Sequence, residues 1–189
     1  MTHSILLCGV GGQGILLAAK IIGTAAGRAG LEVCTHEIHG MAQRGGSVRA
    51  QIKFGGKVHS PLILEGTASV LASLERIEAL RCAHFLRPGG LAVVSKQSIV
   101  PVTVSSGLAT YPADVDDRLV RTFPKLKLFD CASKAVEMGD ARLANTILVG
   151  MLSTGLPLDE ALWNEAISAC VKPAFRDANL AAFAFGRSL

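Results

Sequence analysis

Residues 9–20, GVGGQGILLAAK, carry the pattern from which the fold of this chain can first be predicted. This stretch directly follows an apolar run at residues 5–8 and leads into residues 15–29, whose apolar side chains recur at helical spacing. The stretch therefore predicts a strand, a turn rich in glycine and a helix, in that order. The turn follows the G-x-G-x-x-G pattern, in which N–H groups at the start of a helix can hold an anion. The residues of this glycine turn are Gly9, Gly11, Gly12, Gln13 and Gly14.

Two interpretations of the glycine turn are open from the sequence. In the first, the chain is an independent enzyme whose turn binds NAD or another nucleotide; for NAD, the turn holds the pyrophosphate, and Glu37 near the end of the second predicted strand binds the ribose. In the second, the glycines close a tight strand-to-helix turn against a neighbouring chain. Gln13 argues against NAD, because a long polar side chain at the tip of the turn is foreign to that pattern.

After the second predicted strand, residues 31–38, the chain departs from a dinucleotide-binding fold. Residues 47–54 alternate apolar and polar side chains, which is typical of a strand with one wet face. Gly55 and Gly56 follow and predict a hairpin turn. Residues 39–46 have no helical period, so the second crossover helix that parallel strands of a dinucleotide-binding fold require is missing.

The remaining sequence alternates predicted helices and strands, and from residue 131 onward it predicts helices alone. We predict one α/β domain over residues 1–189, with three α/β/α layers, a mixed and mostly parallel sheet that contains a hairpin, and a helical C-terminal third. The further strands are predicted at 68–74, 91–95, 99–104 and 126–130, and the further helices at 75–86, 113–123, 142–154, 158–171 and 173–186.

Composition and charge exclude several classes of protein. The net charge of +4 arises in the first 60 residues, which contain six Lys or Arg and two acidic residues. Such a basic segment is typical either of a site for an anionic ligand or of an ordinary solvated face. One Tyr, one Trp and no basic run argue against nucleic acid. No stretch is apolar enough to span a membrane, and no signal peptide precedes the first strand. The five cysteines lack metal-binding spacing, so we expect a cytoplasmic chain without a metal or iron–sulfur site.

A second glycine-containing loop lies between the predicted strands at 31–38 and 47–54. Arg44 precedes two glycines, so its guanidinium can present a bidentate fork to a carboxylate or phosphate, and Gln43 adds an amide donor. His39 is a candidate contact at the start of this loop, although no further metal ligand accompanies it. The alternative is a loop that packs under a partner chain. The loop residues are Gln43, Arg44, Gly45 and Gly46, and none is predicted to be catalytic.

Three segments together resemble a known family: GVGGQGILLAAKIIGTAA at 9–26, HEIHGMAQRGGSVRAQIKFG at 36–55 and SPLILEGTASVLASLERIEALR at 60–81. They are similar to the γ-type domain of thiamine-diphosphate-dependent 2-oxoacid:ferredoxin oxidoreductases, most clearly over residues 4–95. The form H-G-M-x-Q-R-G-G-S-V at 39–48 is most similar to the branch that acts on indolepyruvate and other arylpyruvates.

The resemblance implies a small subunit without cofactors that is inactive in isolation. A large partner subunit would carry thiamine diphosphate, Mg²⁺ and 4Fe–4S clusters. The complex would oxidatively decarboxylate an arylpyruvate with CoA, give an aryl-acetyl-CoA and reduce ferredoxin through the large subunit. We expect the glycine turn and the loop at 43–46 to face the active-site cleft of that partner. The alternative is that they only seal the subunit interface.

Overall fold

A mixed sheet of six strands organises the part of the chain that the computed structural model describes, residues 2–40 and 45–189, with only the backbone described at 102 and 103. The strands are β1 (Thr2–Val10), β2 (Glu32–His39), β3 (Ser47–Gly55), β4 (Ala68–Ser73), β5 (Leu86–Ser95) and β6 (Leu126–Phe129). Their order across the sheet is β2-β3-β1-β4-β5-β6. β3 is antiparallel to both β1 and β2, whereas the pairs β1–β4, β4–β5 and β5–β6 are parallel. The predicted mixed, mostly parallel sheet is confirmed.

Helices cover both faces of this sheet. They are α1 (Ile15–Arg28), α2 (Arg76–Arg81), α3 (Val102–Ser105), α4 (Val115–Thr122), α5 (Cys131–Glu137), α6 (Ala144–Ser153), α7 (Glu160–Cys170) and α8 (Arg176–Arg187). One core joins the sheet to α1 and α5–α8, and the other joins it to α2 and α4. The three predicted layers and the helical C-terminal third are therefore confirmed. Within the described ranges, no helix is long and apolar enough to cross a membrane.

From Ile5 to Val10 the strand β1 carries no polar side chain, because both of its faces are covered there. Ile5 and Leu7 enter the core with α1 and α6, and Leu6 and Cys8 enter the core with α2 and α4. Successive side chains of a strand point to opposite faces of the sheet. A strand segment that is buried on both faces is therefore apolar at every position and shows no alternation with polar residues. This strand leads directly into the glycine turn, at the end of the sheet where the candidate site lies.

The predicted hairpin at Gly55 and Gly56 is wrong. The antiparallel partners are β2 and β3, which pair from Glu32 opposite Gly55 to His39 opposite Val48, so the connection lies at residues 40–46 instead. After Gly56 the chain crosses the side of β3 that was expected to be wet. Gln51, only 4% exposed, accepts a hydrogen bond from the Ile63 N–H at 2.6 Å. The polar side of the alternating pattern is thus satisfied by protein and not by water.

The predicted strand at 99–104 is also wrong, because the chain forms the short helix α3 there. The β-branched residues of this segment favour a strand, but the place beside β5 is taken by β6. Pro101 begins the helical turn, and its carbonyl accepts hydrogen bonds from the N–H groups of Val104 and Ser105 at 2.9 and 3.0 Å. The predicted helix at 75–86 is shorter than expected, since α2 ends at Arg81 and a 3₁₀ turn, Ala83–Phe85, leads into β5.

Candidate functional site

The glycine turn lies at the carboxyl end of β1 and depends on glycine at two positions. Gly12 and Gly14 have φ of 102° and 82°, the left-handed region that residues with a Cβ avoid. Gly14 caps α1, and its carbonyl accepts a hydrogen bond from the Asn145 Nδ2 of α6 at 3.2 Å. A Cβ on Gly14 would overlap that amide nitrogen. The turn is therefore packed tightly against α6.

The glycine turn and the second loop are hydrogen-bonded to each other. The Gly11 N–H donates to the Gly46 carbonyl at 2.8 Å, and the Gly45 N–H donates to the Gly11 carbonyl at 3.4 Å. These bonds extend the β1–β3 ladder, whose last partners are Val10 and Ser47. The two motifs thus form one structural unit at one edge of the sheet. Gln43 and Arg44 lie outside the described residues.

The side chain of Gln13 fastens the ends of two neighbouring strands together. Its Oε1 accepts from the Val10 N–H at 2.7 Å, and its Nε2 donates to the Leu74 carbonyl at 2.9 Å and to the Gln97 Oε1 at 2.8 Å. β1 continues into α1 on one face and β4 into α2 on the other, so this point is the crevice where open α/β sheets bind ligands. The side chain of Gln13 lies in this crevice.

Replacement of Gln13 by alanine is expected to loosen this end of the sheet. It leaves the Val10 N–H without its acceptor, so we expect the free energy of unfolding to fall by about 1–3 kcal/mol. Denaturant unfolding of the purified chain measures this. Lys20→Ala, at an exposed position of α1, is the control for a general effect of truncating a long polar side chain. Equal midpoints for Gln13→Ala and the unchanged chain would contradict the proposed fastening.

The geometry does not fit the NAD interpretation. β3 is inserted between β1 and β2, so Glu37 lies opposite Ala50, which in turn lies opposite Leu7. Glu37 is therefore two strand spacings, roughly 10 Å, from β1. It is also level with Leu7, before the glycine turn begins. A ribose bound at the turn is out of its reach.

Two clefts flank the glycine turn. The smaller, of about 500 Å³, brings His39 together with the turn and with Val48 of β3. The larger, of about 790 Å³, lies on the other side of the turn and extends to α5, α6 and the segment before α8. The lining of the smaller cleft is Val10, Gly11, Gly12, Gly14, Ile15, Leu16, His39 and Val48.

Basic groups lie at the larger cleft. Arg142 stacks over the Phe175 ring, with its guanidinium carbon 4.7 Å from the ring centroid, and Lys172 lies nearby. Arg142 also donates to both carboxylate oxygens of Asp140, and these hydrogen bonds hold the pKa of Asp140 below its usual value. No motif in the sequence predicts this cleft, although buried Asn145, at the start of the mostly apolar helix α6, is one of its lining residues.

Neither the cysteines nor the acidic groups form a metal site in the described part of the chain. No group of three or more His, Cys, Asp or Glu is placed there to hold a metal ion. All five cysteines are free thiols, and burial raises the pKa of Cys131 to about 12, so that thiol is a poor nucleophile and metal ligand. That the chain carries no metal stays a prediction.

Comparison with known proteins agrees with the sequence motifs. The profile of the pyruvate ferredoxin/flavodoxin oxidoreductase family matches residues 4–189. The chain belongs to this family. It is 43% identical to the indolepyruvate oxidoreductase subunit IorB of Thermococcus kodakarensis, over 97% of this chain and 94% of the relative. It is 41% identical to the IorB subunit of Pyrococcus horikoshii over the same shares.

A solved structure shows the same fold. The γ subunit of a keto/oxoacid ferredoxin oxidoreductase from Geobacter sulfurreducens superimposes with a TM-score of 0.72 at 20% identity, over 98% of this chain and 96% of that one. The fold class and the resemblance to γ-type domains are thereby confirmed. The predicted function at the level of the family, a small subunit of a 2-oxoacid:ferredoxin oxidoreductase enzyme, is confirmed as well.

Proposed function

We propose that this chain is the small subunit of an indolepyruvate:ferredoxin oxidoreductase. The observation that carries the proposal is the match to IorB subunits at 43% and 41% identity over nearly the whole of both chains. In the proposed reaction, an arylpyruvate and CoA give an aryl-acetyl-CoA and CO₂, and the released electrons reduce ferredoxin. Reducing conditions suit the five free thiols, so we place the complex in the cytoplasm.

Thiamine diphosphate, Mg²⁺ and the 4Fe–4S clusters belong, in this proposal, to a large partner subunit. The described residues of this chain do not fit them. Glu75 and Glu78, which follow β4, are 2% and 6% exposed and are used in hydrogen bonds within the chain. Asp140 at the larger cleft accepts hydrogen bonds from Arg142. The cysteines lie on separate elements and form no cluster with His, Asp or Glu. Ferredoxin would accept electrons from the partner's clusters.

This chain would contribute one edge of the active-site cleft. The carboxyl end of β1 brings together the glycine turn, Gly45, Gly46 and His39. Hydrogen bonds join Gly11 of the turn to Gly45 and Gly46, and His39 lines the smaller cleft beside the turn. Gln43 and Arg44 belong to the loop between His39 and Gly45. We propose that Arg44 positions the carboxylate of the oxoacid or a phosphate of CoA. The competing proposal is that both loops only seal the subunit interface.

Replacement of Arg44 by alanine in the intact complex tests this role. We expect the KM for the oxoacid or for CoA to rise about tenfold or more, because a charge-assisted hydrogen bond of roughly 1.5–3 kcal/mol is lost. Arg28→Ala is the matched control, since Arg28 pairs with Glu165 at the far end of α1. Unchanged KM values in a complex that still assembles would favour the interface proposal.

The substrate class is tested by steady-state assays of the complex with ferredoxin and CoA. Indolepyruvate and phenylpyruvate should give higher kcat/KM than pyruvate or 2-oxoglutarate. Faster turnover of either small aliphatic oxoacid would contradict the arylpyruvate assignment and leave the family assignment intact.

A further inference from the structure

A buried carboxylate lies directly behind the loop that meets the glycine turn. Glu78, on α2, is 6% exposed. Its Oε2 accepts a hydrogen bond from the Ser47 hydroxyl at 2.5 Å, and its Oε1 accepts from Arg81 at 3.0 Å. Arg81 is itself well exposed. Burial of an ionised carboxylate is unfavourable unless its partners are held in place, so this arrangement fixes the Ser47 hydroxyl firmly.

Ser47 transmits that position to the glycine turn. It is the first residue of β3 and the last partner in the β1–β3 ladder, opposite Val10. Its neighbour Gly46 accepts the hydrogen bond from the Gly11 N–H at 2.8 Å. The partner of the buried carboxylate is therefore adjacent in sequence to the residue whose carbonyl joins the two loops.

Glu78 is held in turn by a second buried carboxylate. The Glu78 N–H donates to the Glu75 Oε2 at 2.9 Å, and Glu75 is 2% exposed. The other oxygen of Glu75 accepts from the Tyr111 hydroxyl at 3.1 Å and from the Ile99 N–H at 3.4 Å. These hydrogen bonds, together with the covalent links within Glu78 and between Ser47 and Gly46, connect the segment after β5 to the glycine turn through the start of α2.

We infer that Glu78 is a positioning residue for the reaction: through Ser47 it holds Gly45 and Gly46 against Gly11 and so sets the shape of the smaller cleft. The inference rests on the proposed function, in which this cleft faces the substrates. Glu78 touches no substrate itself. An amide or hydroxyl would satisfy Ser47 in a purely structural role, whereas an ionised acceptor paired with Arg81 gives a shorter and more directional bond.

The test uses four variants of the complete complex. Ser47→Ala removes the hydroxyl, Ser47→Thr keeps it, Glu78→Gln removes the charge, and the double variant combines Ser47→Ala with Glu78→Gln. We expect Ser47→Ala and Glu78→Gln each to raise the KM for CoA or the oxoacid about threefold to tenfold with kcat nearly unchanged. Ser47→Thr should retain the original KM. The double variant should be no worse than the more affected single one, because both act through one bond.

Matched controls and a second readout separate positioning from a general loss of stability. Ser188→Ala and Glu165→Gln, at exposed positions, should leave both KM values unchanged, since Ser188 follows the last turn of α8 and Glu165 pairs with Arg28 at the far end of α1 from the turn. Amide exchange at Gly11 should become faster in Ser47→Ala. Faster exchange without a change in KM, or KM values unchanged in both single variants, would overturn the inference.

Failure of this inference differs from failure of the proposed function. If Arg44→Ala raises KM while Ser47→Ala and Glu78→Gln do not, the positioning role is wrong and the cleft assignment stands. If Arg44→Ala also has no effect, the cleft assignment itself fails, and the positioning role fails with it. Ser47→Ala keeps the test decisive even if Glu78→Gln does not fold, since the Ser47 side chain is exposed and small.

Discussion

Replacement of Gly186 by alanine, like that of Gly150 at the same helix crossing, should destabilise the fold more than alanine at any other described glycine. α6 and α8 cross in direct backbone contact, and a Cβ on Gly186 would lie 3.1 Å from the Gly150 Cα and 3.0 Å from the Ile147 carbonyl carbon. Backbone atoms in two packed helices cannot rotate away, so the helices must separate. We expect the free energy of unfolding to fall by about 3 kcal/mol, the upper end of the usual penalty for overpacking a core.

Denaturant unfolding of the isolated chain measures this effect, with Gly27→Ala as the matched control. Gly27 lies within α1, and no described atom comes within 4 Å of a Cβ built there. Alanine in an open helical position should stabilise the chain by about 0.5–1 kcal/mol. Gly150→Ala should behave like Gly186→Ala, since its Cβ would lie 2.9 Å from the Gly186 Cα. A midpoint for Gly186→Ala equal to that of Gly27→Ala would show that the helices do not cross in this way.

Replacement of Gly14 by alanine should have the next largest effect after the two glycines of the α6–α8 crossing, because two penalties add. The left-handed φ of 82° disfavours a Cβ by about 1–2 kcal/mol. The same Cβ would displace the Asn145 amide, whose hydrogen bond to the Gly14 carbonyl is worth about 1 kcal/mol. We expect a loss of about 2–3 kcal/mol in unfolding free energy and a complex with little activity.

Gly12→Ala isolates the backbone penalty in this experiment. Gly12 has φ of 102°, but no described atom lies within 4 Å of a Cβ there, so only the first penalty applies. The Gly14→Ala loss should also shrink in an Asn145→Ala background, because the overlapping group is gone. Equal losses for Gly12→Ala and Gly14→Ala in the original background would contradict the packing of the turn on α6.

Local patterns in the sequence predicted two kinds of element: strands whose two faces are both buried, and helices or strands that directly follow a glycine-rich turn. The apolar run before the glycine turn has to be an inner strand, and β1 is one. The position of β3 could not be predicted in the same way. Its alternation of Arg49, Gln51 and Lys53 with apolar residues is typical of an exposed side, yet Gln51 is buried under the segment that holds Ile63. Pairing between distant segments leaves no periodicity in either of them.

In the candidate site, too, local sequence patterns predicted some features, whereas others depend on the tertiary structure. The glycine turn and the loop at 43–46 carry recognisable patterns, and the bonds between Gly11, Gly45 and Gly46 confirm that the described parts of the two motifs lie together. Glu78 gave no signal, because a glutamate on a helix is ordinarily solvated. Only the tertiary structure shows that its carboxylate turns inward to Ser47. The roles of His39, Gln43 and Arg44 toward substrate stay predictions.

Anaerobic affinity purification of this chain with its co-expressed large subunit tests whether it is the small subunit of such an oxidoreductase. We expect a brown complex in which a much larger chain, at equal stoichiometry, contains thiamine diphosphate and iron–sulfur clusters. This complex should reduce ferredoxin with an arylpyruvate only when CoA is present. The small chain alone should be colourless, inactive and without affinity for NAD. A colourless chain that purifies without a partner and binds NAD tightly would contradict the proposed function.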